Sequence, residues 1–88
     1  MALDYQHELL TVLMEECAEV IQEASKIIRF GADTDYDGTT PLQRLEKELG
    51  DLQCMIDLLH SADMISYTKI DDYAQEKYEK LKKWSNLI

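Results

Sequence analysis

The segment LLTVLMEECAEVIQEASKII, residues 9–28, carries apolar side chains at helical spacing. One set recurs at intervals of four and seven residues, the pattern of a helix with one buried face: Leu9, Leu13, Val20 and Ile27. We therefore predict a helix from about Asp4 to Arg29, with Asp4 as its N-cap. Gly31 is expected to end this helix, because glycine readily adopts the left-handed conformation that stops one.

A second helix is predicted from Pro41 to about Ser61, with Thr40 as its N-cap and the proline in its first turn. Gly50 lies in the middle of this helix, where glycine costs about 1 kcal/mol, so we expect it to mark close packing or room for a ligand. The buried stripe of the helix is expected to contain five apolar residues: Leu45, Leu49, Leu52, Ile56 and Leu59.

A third helix is predicted from Asp71 to Trp84, capped by Asp71 or Asp72. Apolar residues line one side of it: Ile70, Tyr73, Ala74, Tyr78 and Leu81. The predicted fold class is therefore all-α, with three helices in the chain.

The length of 88 residues allows one domain at most, so residues 1–88 are treated as a single domain. A chain this short buries only about 60% of its unfolded surface when it folds alone. We therefore expect a partner subunit to complete its core.

The chain has a net charge of −9, from 18 acidic and 9 basic residues. This balance argues against binding to a nucleic-acid backbone or to an anionic membrane surface. Cys17 and Cys54 fall in apolar helical stretches and are interpreted as buried free thiols of a reducing compartment. No signal peptide and no apolar run of membrane-spanning length is visible, so a soluble, cytoplasmic protein is expected.

Two acidic clusters are spaced so that their carboxylates share one side of a helix. The first is Glu15-Glu16-x-x-Glu19 on the first helix, and the second is Glu48-x-x-Asp51 on the second. Glu48 falls inside the predicted apolar stripe, and burying an unpaired carboxylate is costly. It is therefore expected to be paired, protonated or bound to a metal ion.

Antiparallel packing of the two helices would place Glu16 and Glu19 opposite Glu48 and Asp51. Four hard oxygen ligands suit Mg²⁺ or Mn²⁺. The alternative is a set of surface carboxylates that form ordinary salt bridges with nearby lysines. A di-iron bundle is disfavoured because no histidine lies three residues after a glutamate.

The loop of residues 30–40 is polar, with two glycines and three aspartates. Counted from Asp33, Gly38 falls at the glycine position of an EF-hand calcium loop, but position 12 is Arg44 instead of the required glutamate, so a calcium loop is disfavoured. A long loop in so small a domain is often functional, and this one is expected to face a substrate.

The two acidic motifs, in this order and at this distance, resemble those of the MazG-like, all-α nucleoside triphosphate pyrophosphohydrolase superfamily. The resemblance covers about residues 9–60, and the segment Ser25–Gly31 is also similar to small, often phage-borne members. Members build their sites in helical bundles assembled from subunits. The resemblance thus implies an antiparallel helical hairpin that completes a four-helix-type bundle in a homodimer or a higher homo-oligomer.

The resemblance also implies an activity, which is cleavage of (deoxy)nucleoside triphosphates to the monophosphate and pyrophosphate. Glu16, Glu19, Glu48 and Asp51 would bind Mg²⁺, with Mn²⁺ as a substitute. Glu15 would be a further ligand or would orient the attacking water. The competing hypothesis is a non-catalytic helical module that dimerises or senses nucleotides, and such a module would tolerate Glu48→Gln.

Basic side chains are expected to grip the outer phosphates of this substrate. The first choice is the pair Lys77 and Lys80, one turn apart on the third helix, followed by Lys26 and Arg29. The alternative is that these lysines only form a solvated helix end. Phe30 or Trp84 could stack on a base, although a core or interface role is commoner for a lone aromatic side chain.

Overall fold

The computed structural model describes residues 2–35 and 37–88 of the chain. Three helices account for most of these residues: α1, Ala2–Phe30; α2, Pro41–Ser61; and α3, Tyr67–Trp84. The prediction of an all-α chain with three helices is confirmed. The chain divides into two compact units, which we call the hairpin unit, Met1–Leu58, and the C-terminal unit, Leu59–Ile88.

Helix α1 begins before Asp4, so this residue lies in the first turn and the predicted N-cap is wrong. An acidic side chain still suits the positive end of the helix dipole there. The end of the helix follows the prediction to within one residue. Gly31 has a φ of +91° and its N–H donates to the carbonyl of Ile27 at 2.8 Å, which is a glycine-terminated helix end.

Helix α2 begins at the predicted residue because two side chains cap it reciprocally. The N–H of Gln43 donates to Thr40 Oγ1 at 3.1 Å, and the N–H of Thr40 donates to Gln43 Oε1 at 2.9 Å. This is a capping box, with glutamine in the third position. Gly50 is exposed, and a Cβ built there would meet nothing within 4 Å, so the close-packing interpretation of this glycine is wrong.

Within the hairpin unit, α1 and α2 run antiparallel. Glu23 of α1 pairs with Arg44 of α2, and the carboxylates of α1 that come earlier in the chain meet those of α2 that come later. The predicted antiparallel hairpin is therefore confirmed. Its assembly into a four-helix bundle remains a prediction.

The described residues bury few apolar side chains, namely Leu9, Met55 and Leu59. Leu49, which is predicted to lie in the buried stripe of α2, is 46% exposed, so this prediction is wrong. The face of α2 that turns toward α1 carries Glu48 and Met55, and Leu49 lies about 100° away from Glu48 around the helix. Both cysteines are free, as interpreted, but both are exposed rather than buried.

Helix α3 begins four residues before the predicted start, because Ser66 and not an aspartate caps it. Ser66 has an extended backbone and its hydroxyl accepts from the N–H of Lys69 at 3.5 Å. None of the residues of α3 is buried, including those of its apolar side. His60, just before the turn, stacks on Tyr67 with 4.1 Å between the ring centroids.

Candidate metal centre

Four carboxylates of the hairpin unit converge on one place between α1 and α2. One oxygen from each of Glu16, Glu19, Glu48 and Asp51 lies within 4.8 Å of the others. We call this group the carboxylate cluster. The i, i+3 spacing on each helix projects two side chains from the same side, and the antiparallel packing brings the two pairs face to face.

The cluster contains carboxylate oxygens that lack a partner within the described part of the chain. Glu16 Oε2 and Glu48 Oε2 are both buried and neither accepts a hydrogen bond. The side chain of Glu48 is only 14% exposed. Buried polar atoms are normally satisfied, so two inward-facing orphan oxygens indicate room for a cation.

The electrostatics of the cluster are unfavourable without such a cation. A hydrogen bond with the Glu19 carboxyl group, burial, and the negative charge of Glu19 together raise the pKa of Glu48 above its ordinary value. Lys47 offsets part of this effect from the rim of the cluster. Its Nζ lies 3.0 Å from Asp51 Oδ2 and 3.6 Å from Glu48 Oε1, and these contacts raise the pKa of Lys47.

The family of the chain follows from a comparison with protein-family models. The model of the MazG nucleotide pyrophosphohydrolase domain matches residues 5–86, which includes the whole carboxylate cluster. The chain belongs to the MazG nucleotide pyrophosphohydrolase domain family. This result confirms the resemblance inferred from the two acidic motifs. No curated protein and no solved structure matched the chain.

Membership of the MazG family assigns nucleotide pyrophosphohydrolase activity at the level of the family. Such domains generally depend on a divalent metal ion, and the cluster is a donor set of hard oxygen atoms that fits one. Within the described residues, none of the three helices combines the length and the apolar character needed to cross a bilayer.

Glu15, the remaining acidic residue of the first MazG motif, lies outside the carboxylate cluster. It is exposed on α1, four residues before Glu19 and therefore on the same edge of the helix. Its role in the site stays a prediction.

A groove of about 370 Å³ opens about one to three turns beyond the cluster, at the loop end of the hairpin. The groove is lined by Lys26, Phe30, Thr34, Pro41 and Arg44. Lys26 and Phe30 are predicted to bind substrate. Thr34 belongs to the loop that is expected to face the substrate. We call this cavity the Phe30 groove. Arg29 is not in its lining; its guanidinium lies 5.2 Å from the centre of the Phe30 ring.

Arg44 is a residue of this region that the sequence reading missed. It contacts Glu23 Oε2 through Nε at 3.6 Å and Thr39 Oγ1 through Nη1 at 2.7 Å. Lys26 Nζ reaches the other oxygen of Glu23 at 3.3 Å. The sequence spacing could have identified Arg44, because it precedes Glu48 by four residues and therefore shares its face of α2.

Lys77 and Lys80 lie exposed on α3, in the C-terminal unit. Their role in phosphate binding stays a prediction. Trp84, the other aromatic residue considered for base stacking, is 78% exposed, with Lys83 Nζ at 5.6 Å from the centre of its ring.

Proposed function

We propose that the chain is a Mg²⁺-dependent hydrolase that converts (deoxy)nucleoside triphosphates to the monophosphate and pyrophosphate. The observation that carries the proposal is the carboxylate cluster, with its two buried and unpartnered oxygens, on a MazG domain. A surface set of glutamates that only formed salt bridges would direct those oxygens to solvent or to a cationic side chain.

Glu16, Glu19, Glu48 and Asp51 are proposed to hold the metal ion, with Mn²⁺ as a substitute for Mg²⁺. A bound Mg²⁺ would neutralise the triphosphate and polarise the α-phosphoryl group. A proton on Glu48, which its raised pKa favours, has to leave for the cluster to act as a full set of anionic ligands.

The chemical step is an attack by water on the α-phosphorus. A new P–O bond forms, the bond from that phosphorus to the bridging oxygen breaks, and pyrophosphate leaves with the electron pair. Glu15 is proposed to orient the water and to accept its proton, because it is exposed at the edge of the same helix face. The step needs no protein nucleophile.

The Phe30 groove is proposed to take the nucleoside end of the substrate. Lys26 follows Glu19 by seven residues on the same face of α1, a distance of about 10 Å along the axis. A nucleobase would then stack on Phe30, with Lys26 and Arg29 near the phosphates. Lys77 and Lys80 are proposed as additional phosphate ligands, and a homodimer of hairpins as the frame of the site.

The test is pyrophosphate release from a panel of canonical and modified NTPs and dNTPs, in Mg²⁺ and in EDTA. We expect Mg²⁺-dependent release of pyrophosphate, with the monophosphate as co-product. Glu48→Gln should lower the rate by about 100-fold or more, because it removes a ligand of the metal ion.

Glu46→Gln is the matched control, since Glu46 is exposed on the same helix and lies outside the carboxylate cluster. It should behave as the wild type. If no nucleotide yields pyrophosphate with a folded sample, or if Glu48→Gln is as active as the wild type, the hydrolase proposal is wrong and the non-catalytic helical module is favoured.

A further inference from the structure

The carboxylate cluster carries its own cation, Lys47. The ammonium group contacts two of the four proposed metal ligands, with Asp51 Oδ2 at 3.0 Å and Glu48 Oε1 at 3.6 Å. The lysine side chain is 70% exposed, so it approaches the cluster from the solvent side. The two buried oxygens that lack a partner, Glu16 Oε2 and Glu48 Oε2, are not the ones it contacts.

We propose that Lys47 is a resident counter-ion, which pairs with the metal-free cluster and moves to the substrate's phosphates once the metal ion is held. The inference rests on the proposed function, since it requires both a metal ion and a phosphorylated substrate. It assigns to Lys47 two successive partners, the carboxylates first and the outer phosphates second.

The first half of the inference follows from charge. Four carboxylates within 4.8 Å repel one another, and Lys47 neutralises part of this charge at the rim. A divalent ion held by the same oxygens takes over that role and repels the lysine ammonium. Lys47 therefore competes with the metal ion for the carboxylates of the cluster.

The second half follows from the reach and exposure of the side chain. A lysine has a flexible four-carbon stem and a compact charge, which suits a phosphate that it binds as a point charge. Because Lys47 sits at the solvent side of the cluster, a released ammonium group stays beside the place where a bound triphosphate would emerge. The two outer phosphates carry most of the negative charge of the triphosphate, and they leave as pyrophosphate. Lys47 would therefore contact the part of the substrate that becomes pyrophosphate.

A simple surface salt bridge is the alternative, since Lys47 and Asp51 are also an i, i+4 pair on α2. Exposed pairs of this kind contribute little to stability. In that case the lysine would affect neither the affinity for a metal ion nor the affinity for pyrophosphate. The two interpretations therefore differ in quantities that can be measured.

The experiment compares Mn²⁺ binding to the full chain, by electron paramagnetic resonance of the free ion, in the wild type and three variants. Lys47→Gln should bind Mn²⁺ about three- to tenfold more tightly, because the competing charge is removed. Lys47→Arg keeps the charge and should stay near the wild type. Lys82→Gln is the control, since it breaks an exposed salt bridge to Glu79 on α3 and should change nothing.

Kinetics provide the second readout, in which the expected change is weaker binding instead of tighter binding. In Lys47→Gln, both the KM for the nucleoside triphosphate and the inhibition constant for pyrophosphate should rise about tenfold, since one charge-assisted contact is lost. Inhibition by the nucleoside monophosphate should stay unchanged. Tighter metal binding combined with weaker pyrophosphate binding is the result that supports the inference.

An unchanged or weaker affinity of Lys47→Gln for Mn²⁺ would overturn the inference, and so would an unchanged inhibition constant for pyrophosphate. In either case a wild type that binds Mn²⁺ and releases pyrophosphate leaves the proposed function standing. If the wild type itself binds no Mn²⁺ and releases no pyrophosphate, both proposals are wrong.

Discussion

The carboxylate of Glu48 is held in a place that disfavours its charge. A hydrogen bond with Glu19, burial and the nearby charge of Glu19 raise its pKa above the ordinary value of 4.5. The folded state therefore binds the proton more tightly than the unfolded state does. By linkage, the free energy of unfolding of the metal-free protein should fall as the pH rises from about 4.5 through the raised pKa.

Glu48→Gln should remove this part of the pH dependence, because glutamine does not titrate. At neutral pH and in EDTA the variant should be more stable than the wild type, which carries the disfavoured charge. Urea denaturation from about pH 4 to pH 8 measures the difference, with Glu46→Gln as the control. A variant that is less stable than the wild type at neutral pH would contradict the expected cost of this charge.

Individual residues also show which features of the structure could be predicted from sequence patterns. The pairing of the two acidic motifs was predictable, because i, i+3 spacing and an antiparallel hairpin leave little freedom. Leu49 was misplaced because apolar periodicity alone does not fix the rotation of α2 when Glu48 shares its inner face. Arg44 was missed because its ionic partner, Glu23, becomes a neighbour only after the hairpin forms.

At the scale of the helices, the outer side of α1 bears an apolar stripe without a partner among the described residues. Its large members are all exposed, Ile21 to 70% and Ile28 to 86%: Leu10, Met14, Ile21 and Ile28. Cys17 and Ala24 fill the positions between them, which completes alternating steps of three and four residues, as in a coiled-coil seam. The stripe lies about 160° around the helix from the carboxylate cluster.

A second copy of the chain is expected to cover this stripe, since monomers rarely expose so continuous an apolar surface. Ile21→Asp should then raise the dissociation constant of the dimer by about 100-fold or more, because each copy would bury a charge. Sedimentation velocity measures the change. Gln22→Asp is the control, since it adds the same charge to the next residue of α1, which is exposed on a different side.

A wild-type chain that sediments as a monomer at high concentration would contradict the dimer.

The ends of the helices show a limit of what the sequence can predict. The start of α2 was predictable because Thr40 and Pro41 act locally, whereas the start of α3 was not, because Ser66 competed with two aspartates that are equally good caps. Burial along α3 and at the cysteines depends on tertiary contacts, so no local pattern could predict it.

Across the whole molecule, the negative charge is concentrated in one unit. Residues 1–58 contain 13 acidic and 4 basic residues, whereas residues 59–88 contain 5 of each. The entire net charge of −9 therefore belongs to the hairpin unit, which also holds the carboxylate cluster. Self-repulsion of this size destabilises the compact state and is relieved by any bound or screening cation.

Specific binding of a divalent ion and general screening by salt can be separated by the size of the stability gain that each produces. A divalent ion at ten times its dissociation constant should add about 1.4 kcal/mol to the free energy of unfolding. For a chain of this size, that raises the melting temperature by about 6–10 °C. NaCl at the same ionic strength should give a smaller rise, because it screens the exposed charges without occupying the cluster.

Glu48→Gln should lose the extra rise in Mg²⁺ or Mn²⁺ and keep the rise in NaCl, since the excess charge elsewhere in the hairpin unit is unchanged. Differential scanning calorimetry of the two proteins in matched salts measures both effects. Equal rises in MgCl₂ and NaCl for the wild type would mean that the carboxylates bind no ion of their own. The acidic surplus would then serve only solubility, and the two buried oxygens of the cluster would need another partner.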